Sequence, residues 1–274
     1  MNIRKYALLL GSCCYIGLTF QTALADDTEI YVGRKLSEEQ QIRPNLLFVI
    51  DNSGSMDASV AGTECAEADR AIRNRCEPIR TGRVCTQQDS RGRCTRYEDT
   101  YEYRKTRLQV VKDVTNTLIE ELRLSDDVNI GLAHFDASDS RQGGMIALLF
   151  GRVSTTANAF KEELSKLYAG TYTPLSEAYY EAARYMKAQP PKFGVNSQAT
   201  YENGTSSSRV NKPSVPGSKV GSNYKSPIEY SCQKSNIILL TDGEPTYDNA
   251  ANNDIRSLIS TSGAANTQHL PATC

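Results

Sequence analysis

The sequence has almost no net charge, because its 31 lysines and arginines nearly balance its 32 aspartates and glutamates. The sequence therefore lacks the excess of basic residues that would favour binding to nucleic acid or to an anionic membrane. Histidine is also scarce: the chain has two, and neither lies beside the acidic motifs described below. An enzyme that uses a histidine base thus gains little support from the sequence. The hydrophobic content of 39 % is ordinary for a folded protein and argues against a disordered chain.

Long apolar runs are missing after the N-terminal segment, so we predict no transmembrane span in the mature chain. In that segment Arg4 and Lys5 precede an apolar stretch (6–20) and a candidate cleavage site with small residues, Ala23 and Ala25, on either side of Leu24. This arrangement is typical of a secretory signal peptide, here residues 1–25, so we predict an exported protein that passes through the periplasm. A polar lead-in, residues 26–42, follows it.

Closely spaced CxxC pairs, which are typical of zinc sites, are also missing. Removal of the signal peptide would leave six cysteines, an even number that indicates disulfide bonds in an oxidising compartment. They are Cys65, Cys76, Cys85, Cys94, Cys232 and Cys274. The sequence alone leaves their connectivity open. Our first hypothesis is a Cys85–Cys94 bridge, because these two residues flank a turn-rich stretch and would close a small hairpin.

The spacing of the apolar residues predicts alternating strands and helices. A continuous apolar run at 46–50 predicts a central parallel strand that is buried on both faces. Further strands are predicted at 128–135, 145–150 and 236–240, and helices at 105–122, 157–168 and 175–188. The strands at 128–135 and 145–150 could pair as a hairpin. This order predicts an α/β fold with an open, mostly parallel sheet and helices on both faces.

Two stretches interrupt this pattern within a domain that we place at residues 43–274. Residues 57–104 are polar and rich in cysteine and arginine, and residues 190–235 are dominated by Ser, Gly, Asn, Pro and Lys. Unstructured connections of this length are uncommon in a compact domain, so we interpret both as insertions, the first of them stapled by disulfides. Acidic residues are interleaved with the arginines of the first stretch, which favours a solvated loop of mixed charge over a nucleic-acid or heparin site.

Polar residues follow the predicted strands where a ligand site would lie. Asp51, Ser53 and Ser55 follow the first strand, Thr173 precedes a helix, and Asp242 follows the last strand. The carboxyl ends of parallel strands share one edge of a sheet, so these side chains should converge. Each motif alone could be an ordinary turn or helix cap, but their joint order favours a metal site. Oxygen ligands suit Mg²⁺ or Mn²⁺, with Ca²⁺ as an alternative, and leave a position open for a partner's carboxylate.

The sequences DNSGSM, GTYTPLSEA and ILLTDGEP resemble the metal-ion-dependent adhesion site of von Willebrand factor A-type domains. The resemblance implies a Rossmann-like A-type fold in which the five residues named above bind one metal ion, some directly and some through water. Thr171 is the alternative to Thr173. Thr173 is preferred because the sequence TPLSEA places a small alanine five residues after it, as the family's pattern does.

A narrower resemblance lies in the sequences DTEIYVG, RPNLLFVIDNSGSM and YKSPIEYSCQKSNIILLTDGEPT. They are similar to the amino-terminal region of the PilY/PilC family of type IV pilus tip adhesins and biogenesis factors. In that family the A-type domain precedes a β-propeller. Only about thirty residues follow Asp242, so we expect the A-type domain to be incomplete at its C-terminus.

This resemblance implies a non-enzymatic protein of pilus adhesion and biogenesis, at the pilus tip, the cell surface or the outer membrane. Minor pilins or a host-surface receptor that offers a carboxylate would be its partners. One alternative is a generic exported A-domain protein that assembles complexes unrelated to pili. A metal-dependent hydrolase is less favoured, because hydroxyl-rich ligation leaves no obvious general base and His134, inside a predicted strand, is expected to be structural.

Overall fold

A computed structural model describes residues 42–72, 74–138 and 142–261. The predicted signal peptide, almost all of the lead-in and Cys274 lie outside these ranges. In the part of the chain that is described, no helix is long and apolar enough to cross a membrane.

Ten strands and four α-helices are formed by the described residues. The strands are β1 (Asn45–Ile50), β2 (Cys76–Gln88), β3 (Cys94–Lys105), β4 (Asn129–Phe135), β5 (Gly144–Arg152), β6 (Gln198–Asn203), β7 (Ser206–Asn211), β8 (Lys219–Val220), β9 (Asn223–Tyr224) and β10 (Ser235–Leu240). The helices are α1 (Arg107–Ser125), α2 (Val153–Lys166), α3 (Leu175–Met186) and α4 (Asn252–Thr261).

The central sheet has four strands in the order β10-β1-β4-β5. Strand β1 pairs in parallel with both β10 and β4, whereas β4 and β5 are antiparallel. The predicted central parallel strand and the predicted hairpin are therefore confirmed. Leu47 and Phe48, which are adjacent on β1, are both fully buried because the sheet is covered on its two faces.

Helices cover both faces of this sheet, as predicted. Phe48 and Phe160 belong to one hydrophobic cluster, in which α1 and α2 pack on the sheet. Leu47 and Tyr185 belong to a second cluster, to which α3 contributes. Successive side chains of β1 point to opposite faces of the sheet, so a single strand supplies both clusters.

Helix α2 begins four residues before its predicted start at 157, directly after β5. A side chain remote in sequence caps its first turn: the Asp126 carboxylate accepts the Ser154 N–H at 3.0 Å. Free N–H groups at a helix start need such partners, and this one could not be found from the local sequence.

Residues 57–104 contain a two-stranded antiparallel ribbon, formed by β2 and β3, that is mostly exposed to solvent. The Cys85–Cys94 disulfide lies near its tip, which confirms our first hypothesis on the pairing. A second disulfide, Cys65–Cys76, lies at its base. Cys232 is exposed and unpaired within the described residues. An isolated hairpin is at best marginally stable in water, so the two bridges stabilise a ribbon that has little core of its own.

Residues 190–235 form two small hairpins, β6–β7 and β8–β9. This segment is attached to α3 through the buried Glu181 carboxylate, which accepts the backbone N–H groups of Lys192, Phe193 and Gly194. The hydroxyl of Tyr224 donates to the same carboxylate at 2.6 Å. Glu181 thus anchors two parts of this segment, residues 192–194 and Tyr224, to α3.

A buried ionic network joins α1, β6 and the start of the ribbon. Lys112 donates to Glu202 at 2.9 Å, and Arg75 pairs with the other oxygen of Glu202 at 2.8 Å. Burial alone would raise the pKa of Glu202, but the hydrogen bond from Arg75 and the charge of Lys112 outweigh it and hold that pKa below its usual range. Asn74 donates to Glu202 at 3.0 Å and accepts the Ala169 N–H at 2.8 Å, so the network reaches the loop that precedes Thr173.

Candidate metal-ion site

Asp51 lies directly after β1, and its carboxylate is held by two loops. One oxygen accepts the Ser53 N–H at 2.7 Å, and the other accepts the Thr241 hydroxyl at 2.7 Å. The Asp51 side chain is fully buried. Pairing of β1 with β10 causes this arrangement, because it places the residues that follow both strands at the same edge of the sheet.

Two serines and a second carboxylate continue from this point toward solvent. The hydroxyls of Ser53 and Ser55 are hydrogen-bonded at 2.9 Å, and the Ser55 hydroxyl donates to Asp242 at 2.8 Å. Ser53 is buried, whereas Ser55, in a 3₁₀ turn at Gly54–Asp57, is exposed. The structure thus joins four of the five predicted residues by hydrogen bonds, through the Ser53 N–H and the two serine hydroxyls, from a buried floor to an open rim.

Thr173 lies on the loop before α3, which runs beside the loop that follows β1. The Gly54 N–H donates to the Thr171 carbonyl at 2.8 Å, and Thr173 itself is buried. The hydroxyl of Thr171 donates to the Asp136 carbonyl, so it is already engaged. Thr173 as the fifth ligand, with Thr171 as its alternative, stays a prediction. Within the described residues, the hydrogen-bonded chain does not extend to Thr173.

Three side chains that were not predicted from the sequence also make contacts beside the candidate site. Asp248, after β10, accepts the N–H groups of Ser176 and Glu177 at 2.9 and 3.1 Å and so caps the first turn of α3. Glu177 is fully buried; burial raises its pKa, and the nearby charge of Asp248 adds to this, against the N–H groups of Ala250 and Gly143. The guanidinium of Arg107, at the start of α1, pairs with Asp242. No local pattern could reveal these contacts, because the partners lie far apart in sequence.

The donor set contains two carboxylates and hydroxyls, which are hard oxygen ligands of the kind that Mg²⁺ and Mn²⁺ prefer. Across the described ranges, no three His, Cys, Asp or Glu side chains come together as a metal cluster. Such a cluster is a different type of site from the hydroxyl-rich one at this edge of the sheet. His134 is fully buried in β4 and its Nδ1 lies 3.0 Å from the Phe135 carbonyl; burial lowers the pKa of His134.

Residues 129–273 match the sequence model of a family described as "PilY1 homolog, second domain". The chain belongs to this family. The match identifies a PilY1-related pilus protein, and the matched residues include Thr173 and Asp242 but begin after the loop that carries Asp51, Ser53 and Ser55. No curated protein matches the sequence.

Solved structures that resemble the chain do so distantly. The PilB minor pilin from Streptococcus sanguinis is 13 % identical over 53 % of this chain and 26 % of its own, with a TM-score of 0.31. Its D319A mutant is 11 % identical over 84 % of this chain and 57 % of its own, with a TM-score of 0.37. An uncharacterized membrane spanning protein from Vibrio fischeri is 11 % identical over 80 % of this chain and 98 % of its own, with a TM-score of 0.30. The chain thus spans about a quarter and just over half of the two PilB chains, and at these TM-scores none of the three defines its fold.

Proposed function

We propose that this chain contains a von Willebrand factor A-type domain whose metal-ion-dependent adhesion site acts in type IV pilus adhesion and biogenesis. The observation that carries the proposal is the set of hydrogen bonds that links the Asp51 carboxylate to the Ser53 N–H, the Ser53 hydroxyl to the Ser55 hydroxyl, and the Ser55 hydroxyl to Asp242. A mostly parallel sheet covered by helices on both faces supports the A-type fold. The family match favours a role in pili over an unrelated assembly role.

In this proposal the buried residues hold the cation and the rim receives the partner. Asp51, Ser53 and Thr173 form the buried side of the site, while Ser55 and Asp242 lie toward solvent. When bound, Mg²⁺ or Mn²⁺ supplies positive charge and an open coordination position, which a carboxylate of the partner can fill. The chain's own residues hold the ligand oxygens in place.

The proposed role is non-enzymatic. The two carboxylates of the site are assigned to the metal, and His134, the described histidine, is buried within the sheet rather than placed at the rim. His134 is therefore not placed as a general base beside the cation. A minor pilin or a host-surface receptor with an accessible acidic residue would be the partner, and the pilus tip, cell surface or outer membrane would be the location.

Calorimetric titration of the oxidised, signal-free chain with Mg²⁺ and Mn²⁺ tests the site. We expect saturable binding of one ion per chain, and loss of measurable binding on Asp51→Ala, because that change removes a buried ligand. Glu244→Ala is the matched control: it removes one negative charge from the exposed loop that also carries Asp242, and it should leave binding intact.

An adhesion assay extends this test to function. The double variant Asp51→Ala, Asp242→Ala should lose attachment to surfaces together with metal binding. Retention of both properties would contradict the proposal, and the exposed ribbon would then become the candidate contact surface. Full adhesion without metal binding would leave the metal site without the proposed role.

A further inference from the structure

Arg107 is the first residue of α1, where a positive charge is unfavourable. The N-terminus of a helix carries a partial positive charge, so acidic residues are preferred there and cations are not. The first turn of α1 has no acidic residue, and the helix is capped by the Thr106 hydroxyl, which accepts the Gln109 N–H at 3.1 Å. The helix itself therefore does not stabilise the guanidinium.

Asp242 supplies that stabilisation. Arg107 Nη1 pairs with Asp242 Oδ2 and lies 3.4 Å from the Ser55 carbonyl oxygen. Asp242 Oδ1 accepts the Ser55 hydroxyl, so both oxygens of the carboxylate have partners. The Asp242 side chain is 11 % exposed and that of Arg107 is 43 % exposed. The ion pair thus lies at the open rim of the candidate site, over its outermost ligands.

We propose that Arg107 is an internal counter-cation that competes with the divalent ion for Asp242. This inference rests on the proposed function of the site. A metal ion that binds Asp242 Oδ2 must displace the guanidinium, because two cations next to the same oxygen repel each other. Arg107 therefore lowers the affinity of the site and sets the concentration of divalent ion at which the site is loaded.

Displacement requires only a movement of the side chain. The backbone N–H of Arg107 donates to the Ala58 carbonyl at 2.9 Å, and the residue follows the end of β3 almost directly. These contacts keep Arg107 at the rim while its side chain, which is nearly half exposed, swings toward solvent. Loading of the site therefore releases a guanidinium beside the position that a partner's carboxylate would occupy.

Calorimetric Mn²⁺ titrations of the oxidised, signal-free chain and its variants test this competition. We expect Arg107→Gln to bind Mn²⁺ about 10-fold more tightly than the unmodified chain, within the usual range of coupling between two binding events. Arg107→Lys keeps the charge but loses the planar fork, so we expect a gain of about 3-fold. Arg104→Gln is the matched control, because Arg104 pairs with Glu102 on the ribbon and its loss should change affinity less than about 2-fold.

The outcomes separate this inference from the proposed function. If the unmodified chain binds Mn²⁺ and either Arg107→Gln or Arg107→Lys binds it with equal or lower affinity, the competition is overturned and the metal site stands. Binding in Arg107→Gln alone supports the competition in its strongest form, provided that Asp51→Ala in the same background abolishes it. Absence of binding in every variant overturns both proposals. Thermal unfolding verifies that each variant is folded. If Arg107→Gln does not fold, the Mn²⁺ affinity of Arg107→Lys tests the competition.

Discussion

The two long segments outside the central sheet are held by different chemistry. The ribbon is closed by Cys65–Cys76 and Cys85–Cys94, and its outer part is exposed on both faces. Among the described residues of the 190–235 segment no disulfide is present; non-covalent contacts attach it, among them hydrogen bonds to the buried Glu181. A disulfide restrains the chain in the folded and the unfolded state alike. Hydrogen bonds to a buried carboxylate stabilise the segment only in the folded protein.

This difference predicts how each segment responds to damage. Glu181 lies on α3 within the folded core, so loss of its contacts should spread to the sheet. Burial raises the pKa of Tyr224, and the charge of Glu181 adds to that shift, so the phenol remains a neutral donor to the carboxylate. The tip of the ribbon makes no comparable buried contact among the described residues, so damage there should stay local.

The largest effect is expected for Glu181→Ala. Three backbone N–H groups and the Tyr224 hydroxyl would lose their acceptor in a buried environment, which should lower the free energy of unfolding by about 3–5 kcal/mol. Urea unfolding followed by circular dichroism measures this change. Glu162→Ala, which removes an exposed acid from α2, is the control and should have little effect. A loss below about 1 kcal/mol would show that water can replace the carboxylate. The proposed difference between the Glu181-anchored segment and the disulfide-closed ribbon would then be wrong.

Glu202→Gln should have an intermediate effect, because Glu202 binds both regions: it lies on β6 and pairs with Arg75 beside the ribbon. We expect a loss of about 2 kcal/mol at neutral pH, since the amide keeps some hydrogen bonds but not the charge. The pKa of Glu202 is lowered in the folded state, so its stabilisation is fully present above the ordinary glutamate pKa of about 4.3 and is lost as pH falls through the lower folded value.

Urea unfolding at neutral pH and at steps below about pH 4 checks the sign. The difference in stability between the unmodified chain and Glu202→Gln should shrink as the pH falls. A difference that stays constant in acid would mean that shape rather than charge gives Glu202 its role. A difference that grows in acid would contradict the assignment of a lowered pKa.

Local sequence predicted the central sheet because its strands are buried on both faces, as the continuous apolar run of β1 shows. The convergence of Asp51 and Asp242 at one edge of the sheet could also be predicted, since both follow strands that pair in parallel. The strands of the ribbon could not be predicted, because side chains such as Val84 and Tyr97 are exposed and no face is consistently apolar. The contact of Arg107 could not be predicted either, because its partner lies 135 residues away.

The smallest effect on overall stability is expected for the paired change Cys85→Ser, Cys94→Ser. Loss of this bridge frees the ribbon tip in the folded state as well as in the unfolded state, so the free energy of unfolding should change by less than about 1 kcal/mol. Hydrogen exchange should nevertheless become faster across residues 83–97. The matched variant Cys65→Ser, Cys76→Ser removes a bridge whose cysteines are both buried and should cost about 2–3 kcal/mol. If the tip variant destabilised the chain as much as Glu181→Ala, the ribbon would belong to the cooperative core, and the two segments would differ in bond type but not in how they are coupled to the sheet.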